Sequence, residues 1–141
     1  MTDRELIHEA IEARKMSYCP YSEFAVGAAV LAKSGKVYRG CNIENAGYNP
    51  TNCAERTAIF KAVSEGDTDF VKIAIIGGNI NTSINSYAYP CGPCRQVMRE
   101  FCDPDSFRII VAVSEDKYEE YFLKELLPKS FGPEYLQWKH I

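Results

Sequence analysis

Apolar residues near the start of the chain recur with the period of an amphipathic helix. The apolar face holds Leu6, Ile7, Ala10, Ile11 and Met16. Thr2 and Glu5 form the sequence pattern of a capping box ahead of this face. The pattern predicts a helix over residues 3–17, and Pro20 lies just beyond it.

A hairpin signal follows this helix. Two β-rich segments, over residues 24–32 and 36–42, flank the turn Lys33-Ser34-Gly35. Later in the chain, apolar runs over residues 71–76 and 107–113 have the composition of buried strands. The sequence therefore predicts four strands in these regions.

Two further helices are expected between and after these strands. Thr51 and Asn52 are suitable caps for a helix over residues 53–63, and a second helix is expected from about residue 90 to 101. The polar stretch 77–87 predicts a loop. Residues 118–127 have mixed periodicity, so strand and helix both remain open there.

The order of these elements is helix, hairpin, helix, strand, helix, strand, and then a strand or a helix. It predicts an α/β fold with three layers, α/β/α, in which a mixed sheet carries helices on both faces. No repeat, low-complexity segment or linker divides the chain. We therefore expect a single domain over residues 1–141.

Composition and charge narrow the function. Apolar residues make up 46% of the chain and charged residues 25%, as in an ordinary globular protein. No apolar run is long enough to span a bilayer, and the first ten residues do not resemble a secretory signal, so a cytoplasmic location is expected. The net charge is −3 with no dense basic run, which argues against a nucleic-acid surface and favours a small-molecule substrate.

The chain has six cysteines, and two of them form a C-x-x-C motif, Cys91-Gly92-Pro93-Cys94. In a chain without a secretory signal, metal binding or catalysis is a better interpretation than a disulfide framework. The motif alone fits two chemistries. It is typical of a thioredoxin-like thiol-disulfide redox protein, and it is equally able to bind zinc if further ligands lie elsewhere.

A third cysteine favours zinc. Cys53, like Cys91 and Cys94, lies at the expected N-terminus of a helix, where the helix dipole favours a thiolate. Three protein ligands leave the fourth tetrahedral position of zinc open, as in catalytic sites. The histidines at 8 and 140 are expected to face solvent, and the remaining cysteines are expected to be small buried apolar residues: Cys19, Cys41 and Cys102.

Glu55 lies two residues after Cys53. A carboxylate beside a zinc-bound water can accept its proton and pass it to a substrate. Taken alone, Glu55 is better explained as an acidic residue that favours the first turn of a helix. Together with three cysteines, the catalytic interpretation is the better one.

These residues resemble a known family. Cys53-Ala54-Glu55 with Pro90-Cys91-Gly92-Pro93-Cys94 looks like the signature of the zinc nucleoside deaminases, with Cys where many relatives have His. More closely, the chain resembles the small homotetrameric cytidine deaminases. Nearly the whole chain takes part, through the segments 21–29, 40–46, 53–56, 91–96 and 126–128. The resemblance implies a cytidine deaminase-like fold with a mixed five-stranded sheet.

The resemblance also implies an activity: hydrolytic deamination of cytidine and deoxycytidine to uridine and deoxyuridine with release of ammonia, in pyrimidine salvage. One Zn²⁺ per subunit activates water for attack at C4 of the pyrimidine, and Glu55 transfers protons to N3 and to the departing amino group. Arg56 is expected to offset the charge of the thiolates. No nucleic-acid or membrane partner is expected.

Substrate contacts are implied in the same way. The base stacks on Phe24, the ribose hydroxyls bind Asn42 and Glu44, and the backbone N–H of Ala54 meets the pyrimidine oxygen. Two aromatic residues are expected to reach into a neighbouring subunit of a homotetramer with shared active sites: Tyr48 and Phe131.

Two departures from the family pattern bear on substrate range. Asn49-Pro50 stiffens the segment after Tyr48, and the loop over residues 78–89 is longer than expected. A deaminase of aminopyrimidine nucleoside antibiotics of the blasticidin type is the nearest alternative, because such enzymes have segments similar to residues 53–55 and 90–95. A thiol-disulfide redox protein is the alternative from another class.

Overall fold

The computed structural model describes residues 1–136, which form five strands, four α-helices and a short 3-10 helix. In chain order they are α1 Asp3–Arg14, β1 Phe24–Ala32, β2 Val37–Cys41, α2 Ala54–Ser64, β3 Phe70–Asn79, α3 Gly92–Phe101, β4 Arg108–Ala112, β5 Tyr118–Phe122, α4 Leu123–Leu126 and the 3-10 helix Pro133–Leu136. None of the described helices is long and apolar enough to cross a bilayer.

The five strands form one mixed sheet in the order β2-β1-β3-β4-β5. β1 pairs antiparallel with both β2 and β3, and β5 pairs antiparallel with β4. β3 and β4 are parallel, with Ile73 opposite Ile109. A parallel pair needs a crossover connection, and α3 lies in the segment between these two strands.

Side chains alternate between the two faces of the sheet and build a separate core on each face. On one face Val30, Ile75 and Val111 pack with residues of α2 and α3. On the other face Ala29 and Ile110 pack with α1. The period-2 alternation of each strand thus supplies both cores, and the predicted α/β/α layering with helices on both faces is confirmed.

Two glycines allow helices to lie directly on the hairpin. A Cβ atom at Gly27 would lie 2.1 Å from the carbonyl oxygen of Ala10 in α1. A Cβ atom at Gly40 would lie 2.4 Å from the carbonyl oxygen of Ala54 in α2. Both contacts are too short for any other residue, so backbone packs against backbone on each face of the hairpin.

The structure shifts several predicted boundaries. The first helix ends at Arg14 and not at residue 17, because the chain turns away and exposes Met16. β3 runs to Asn79, although residues from 77 onward were predicted to be a loop. The open segment 118–127 contains both a strand and a helix, β5 and α4. The single domain over residues 1–141 stays a prediction.

Candidate functional site

Three cysteine sulfurs meet where α2 and α3 begin. Cys53 is the N-cap residue of α2, Cys91 is the N-cap residue of α3, and Cys94 lies in the first turn of α3. The Sγ atoms of Cys53 and Cys91 lie 3.5 Å apart, and those of Cys91 and Cys94 lie 3.3 Å apart. All three lie within 4.8 Å of one another, as the sequence predicted.

This donor set fits a zinc ion. The three thiols are free, and their separations exceed the S–S bond of about 2 Å in a disulfide. A tetrahedral Zn²⁺ with Zn–S bonds of about 2.3 Å needs sulfurs about 3.8 Å apart, so small movements admit the ion. Thiolates are soft ligands that zinc prefers. No fourth cysteine or histidine joins the group among residues 1–136, so one coordination position stays open.

Local electrostatics favour a thiolate at Cys53. Hydrogen bonds from Cys94, Arg56 and Cys91 lower the pKa of the Cys53 thiol to about 5. The contact with Cys53, together with burial, raises the pKa of the Cys94 thiol. The Nη2 of Arg56 lies 3.2 Å from the Sγ of Cys53, as expected for a cation that offsets negative charge here.

Glu55 lies in the first turn of α2 and is buried, with 4% of its surface exposed. Burial raises the pKa of its carboxyl to about 7, and the negative charge of Cys53 acts in the same direction. A carboxyl group with this pKa is able both to accept and to donate a proton near neutral pH. Its placement beside the three sulfurs agrees with the predicted role in proton transfer.

One cavity of about 300 Å³ opens beside the sulfurs, and we call it the cysteine cavity. It contains four of the predicted substrate or catalytic residues, Phe24, Asn42, Ala54 and Glu55, together with two of the sulfur ligands. Its described lining is Phe24, Val26, Asn42, Thr51, Asn52, Cys53, Ala54, Glu55, Ala88, Tyr89 and Cys91. Six of the predicted site residues therefore line one cavity, and their roles stay predictions.

Asn42 and Glu44 are held by backbone groups. The Asn42 side chain accepts a hydrogen bond from the N–H of Val26 at 2.9 Å and donates one to the carbonyl of Phe24 at 2.7 Å. Glu44 accepts from the N–H of Tyr21 at 2.9 Å. Both residues were expected to bind the ribose hydroxyls, but Glu44 lines a neighbouring recess of about 400 Å³ and not the cysteine cavity.

Tyr48 and Phe131 stand outside the cysteine cavity of their own chain. Tyr48 is 77% exposed and lines the recess with Glu44, and its backbone has a φ of 58°. Phe131 is 55% exposed and stacks on Tyr135. Thr51 lines both the recess and the cysteine cavity, so the two spaces adjoin.

Five lining residues were not predicted from the sequence: Val26, Thr51, Asn52, Ala88 and Tyr89. A signal for one of them was present. Tyr89 is two residues before Cys91 in a segment outside helices and strands, and residues two apart in an extended chain face the same side. The other four are small, apolar or common polar residues whose type gives no indication of a site.

The remaining predicted positions lie elsewhere. His8 is exposed and its Nδ1 lies 2.9 Å from a carboxylate oxygen of Glu115, and position 140 lies outside the described residues. Cys102 is buried as expected, whereas Cys19 and Cys41 are only partly buried. Arg95, the residue after Cys94, donates hydrogen bonds to the carbonyl oxygens of Pro90 and Leu126.

Comparison with known proteins agrees with this geometry. Residues 1–110 match the family model described as the cytidine and deoxycytidylate deaminase zinc-binding region. A cytidine deaminase of Halalkalibacterium halodurans is 50% identical over 94% of this chain and 96% of its own, and one of Sporosarcina psychrophila is 44% identical over 98% and 97%.

Solved structures agree as well. The crystal structure of cytidine deaminase from Burkholderia pseudomallei superposes with a TM-score of 0.84 at 41% identity, covering 93% of this chain and 100% of that one. The resemblance inferred from the sequence motifs is confirmed. The protein therefore belongs to the cytidine and deoxycytidylate deaminase family, with a zinc site that its three cysteines fit.

Proposed function

We propose that this protein deaminates cytidine and deoxycytidine hydrolytically, producing uridine and deoxyuridine with release of ammonia. One observation carries the proposal: a buried carboxyl group and two cysteines of the three-sulfur group line one cavity with an aromatic ring, that of Phe24. This chain aligns with nearly the whole length of the relatives named cytidine deaminase, which supports the same substrate class.

The chemistry follows from the positions of the groups. A zinc ion supplies a Lewis acid that lowers the pKa of water from about 15.7 to about 7. Glu55 takes a proton from the attacking water and delivers it to N3 of the pyrimidine. A C–O bond forms at C4 in this step. Glu55 then takes the remaining proton from the new C4 hydroxyl and delivers it to the amino group, so the C–N bond breaks, ammonia leaves and C4 keeps a carbonyl oxygen.

Other groups hold the base and the sugar. Ala54 is the first residue of α2, where a backbone N–H has no acceptor within the helix, and it is available to the pyrimidine oxygen. Phe24 offers a ring face at the cavity wall. Asn42 lies in the cavity and Glu44 in the adjoining recess, a spacing that suits a ribose lying across the boundary between them.

Oligomerisation belongs to the same proposal. Tyr48 and Phe131 are large apolar side chains that lie mostly in solvent in one chain. We infer that they are covered in a homotetramer, each reaching toward the site of a neighbouring subunit. The free thiols suit a reducing compartment, in agreement with a cytoplasmic role in pyrimidine salvage.

The direct test measures metal content and turnover together. Purified protein is analysed for zinc per chain, and uridine and ammonia are quantified after incubation with cytidine and with deoxycytidine. We expect one zinc per chain and turnover of both nucleosides. Turnover of blasticidin S without turnover of either nucleoside would favour the antibiotic deaminase instead, and zinc-free protein that reduces insulin would favour the redox alternative.

A further inference from the structure

Tyr89 forms a wall of the cysteine cavity for which the proposed reaction has so far given no role. Phe24 and Tyr89 are the two aromatic side chains among the described residues that line this cavity. Tyr89 is 47% exposed, so a large part of its ring borders open space. Its position two residues before Cys91 places this ring in the wall that adjoins a metal ligand.

The ring of Tyr89 is fixed from behind by β5. Its hydroxyl donates a hydrogen bond to the Oε1 of Glu119 at 2.6 Å. The hydroxyl of Tyr121 donates to the same oxygen at 2.8 Å, and the rings of Tyr89 and Tyr121 meet edge to face with centroids 6.1 Å apart. Two hydroxyls on one carboxylate oxygen, with a ring contact, hold the Tyr89 side chain in one orientation.

The chain before Tyr89 is also packed tightly. A Cβ atom at Gly77 would lie 3.2 Å from the Cβ of Ala88, and one at Gly78 would lie 3.2 Å from a side-chain carbon of Ile84. The end of β3 therefore supports the segment that leads into the wall. Ala88, the residue before Tyr89, thus packs against β3, and the Tyr89 hydroxyl is held by β5.

We propose that Tyr89 is a specificity-determining residue that limits the size of the substituent at C5 of the pyrimidine. This inference rests on the proposed function. The reacting carbon faces the three sulfurs, and Glu55 is assigned to N3 on one side of that carbon. The other ring neighbour, C5, then faces the wall that runs from Cys91 back to Tyr89. A fixed phenol ring there leaves room for hydrogen and excludes bulky groups.

The test compares kcat/KM for 5-bromocytidine with kcat/KM for cytidine. We expect Tyr89→Ala to raise this ratio about tenfold or more, since pocket size discriminates substrates on that scale. Tyr89→Phe removes the donor hydroxyl of the anchoring hydrogen bond, and Glu119→Ala removes its acceptor. Both variants retain the aromatic ring at residue 89 but fix it less firmly, so each raises the ratio by about threefold. Tyr118→Phe, a hydroxyl deletion on the more exposed face of β5, is the matched control and leaves the ratio unchanged.

Zinc content and thermal melting are measured for every variant. A ratio that stays within about twofold of wild type in zinc-loaded Tyr89→Ala overturns the inference, and if that variant does not fold, the same result in Tyr89→Phe and Glu119→Ala overturns it. The proposed function fails separately. Wild-type protein without cytidine turnover overturns both, whereas normal cytidine turnover with an unchanged ratio overturns the role of Tyr89 alone.

Discussion

Arg56 donates a hydrogen bond from its guanidinium to the Sγ of Cys53 over 3.2 Å. The two residues lie one helical turn apart at the start of α2, so the helix itself sets this contact. Three thiolates and Zn²⁺ together carry a charge of −1. An arginine at this distance would offset that charge and so favour a lower pKa for a zinc-bound water.

Replacing Arg56 by Gln should therefore weaken the metal site. We expect zinc affinity or kcat to fall by about 10- to 100-fold, as for other residues that hydrogen-bond to metal ligands. Competition with a chromophoric chelator measures the first and steady-state kinetics the second. Arg39→Gln is the control, because Arg39 pairs with Glu9 at an exposed position on β2. An equal loss of zinc affinity or kcat in Arg56→Gln and Arg39→Gln would contradict a specific role of Arg56 at the metal site.

Glu55→Gln should separate chemistry from folding. The neutral amide occupies the same volume and carries no charge to desolvate, so zinc stoichiometry is retained and the melting temperature does not fall. Turnover of cytidine should drop by roughly 10²- to 10⁴-fold, the usual contribution of a general acid–base group. Glu65→Gln, an exposed carboxyl at the far end of α2, serves as control. Substantial residual activity in the Gln variant would disprove the assignment.

The three sulfurs should differ from the other cysteines in metal binding. Cys53→Ser and Cys91→Ser are expected to lose zinc and activity, and prolonged chelation of the wild type should do the same until Zn²⁺ is restored. Cys102→Ala is the comparison, since Cys102 is a buried thiol outside the group. It should retain one zinc per chain by elemental analysis. Zinc loss from this variant at normal stability would contradict the assignment.

Asp3 should contribute to stability in a pH-dependent way. Its carboxylate accepts hydrogen bonds from Lys72 and Arg108, both at 2.7 Å, and Lys72 is buried. Burial alone would raise the pKa of Asp3, but these two cations hold the pKa below its ordinary value. The stabilisation is therefore present above pH about 4 and is lost as the pH falls through the folded-state pKa.

Asp3→Asn tests this by denaturant unfolding. We expect a loss of about 2 kcal/mol in the free energy of unfolding at pH 7, because the buried Lys72 keeps its charge and loses a charged partner. The difference from wild type should shrink below pH about 4. Asp105→Asn removes an exposed partner of Lys124 and should change stability by less than about 0.5 kcal/mol. A pH-independent difference would contradict the mechanism.

The proposed zinc ligands could be predicted because two local signals in the sequence coincide: the expected N-termini of helices and the spacing of the cysteines. Cys53, Cys91 and Cys94 lie where helices start, and both helix starts were expected near these residues. The predicted caps Thr51 and Asn52 were wrong, because the N-cap residue of α2 is Cys53 itself. Nothing in this inference required knowledge of the sheet. The confirmed layering was predicted from the order of helices and strands along the chain.

Tertiary contacts explain what the sequence did not predict. Gly77 and Gly78 have the composition of a turn, yet they pair with Val26 and Ala25 of β1 and remain in β3 because the incoming 84–88 segment needs small residues there. Likewise, the orientation of Tyr89 depends on its hydrogen bond to Glu119 on β5, which lies thirty residues later in the chain. Contacts between distant segments leave no local periodicity to read.

The close approach at Gly40 links two properties that are usually separable. Any side chain there would push against Ala54 and the next turn of α2, and the displacement would pass along the helix axis to Cys53 and Glu55. A substitution at Gly40, in a strand that provides no metal ligand, would then cause loss of zinc. A screen for variants that do not bind metal should therefore identify substitutions at residue 40 as well as at the three cysteines. Residue 40 lies in the sheet under α2 and is not part of the site.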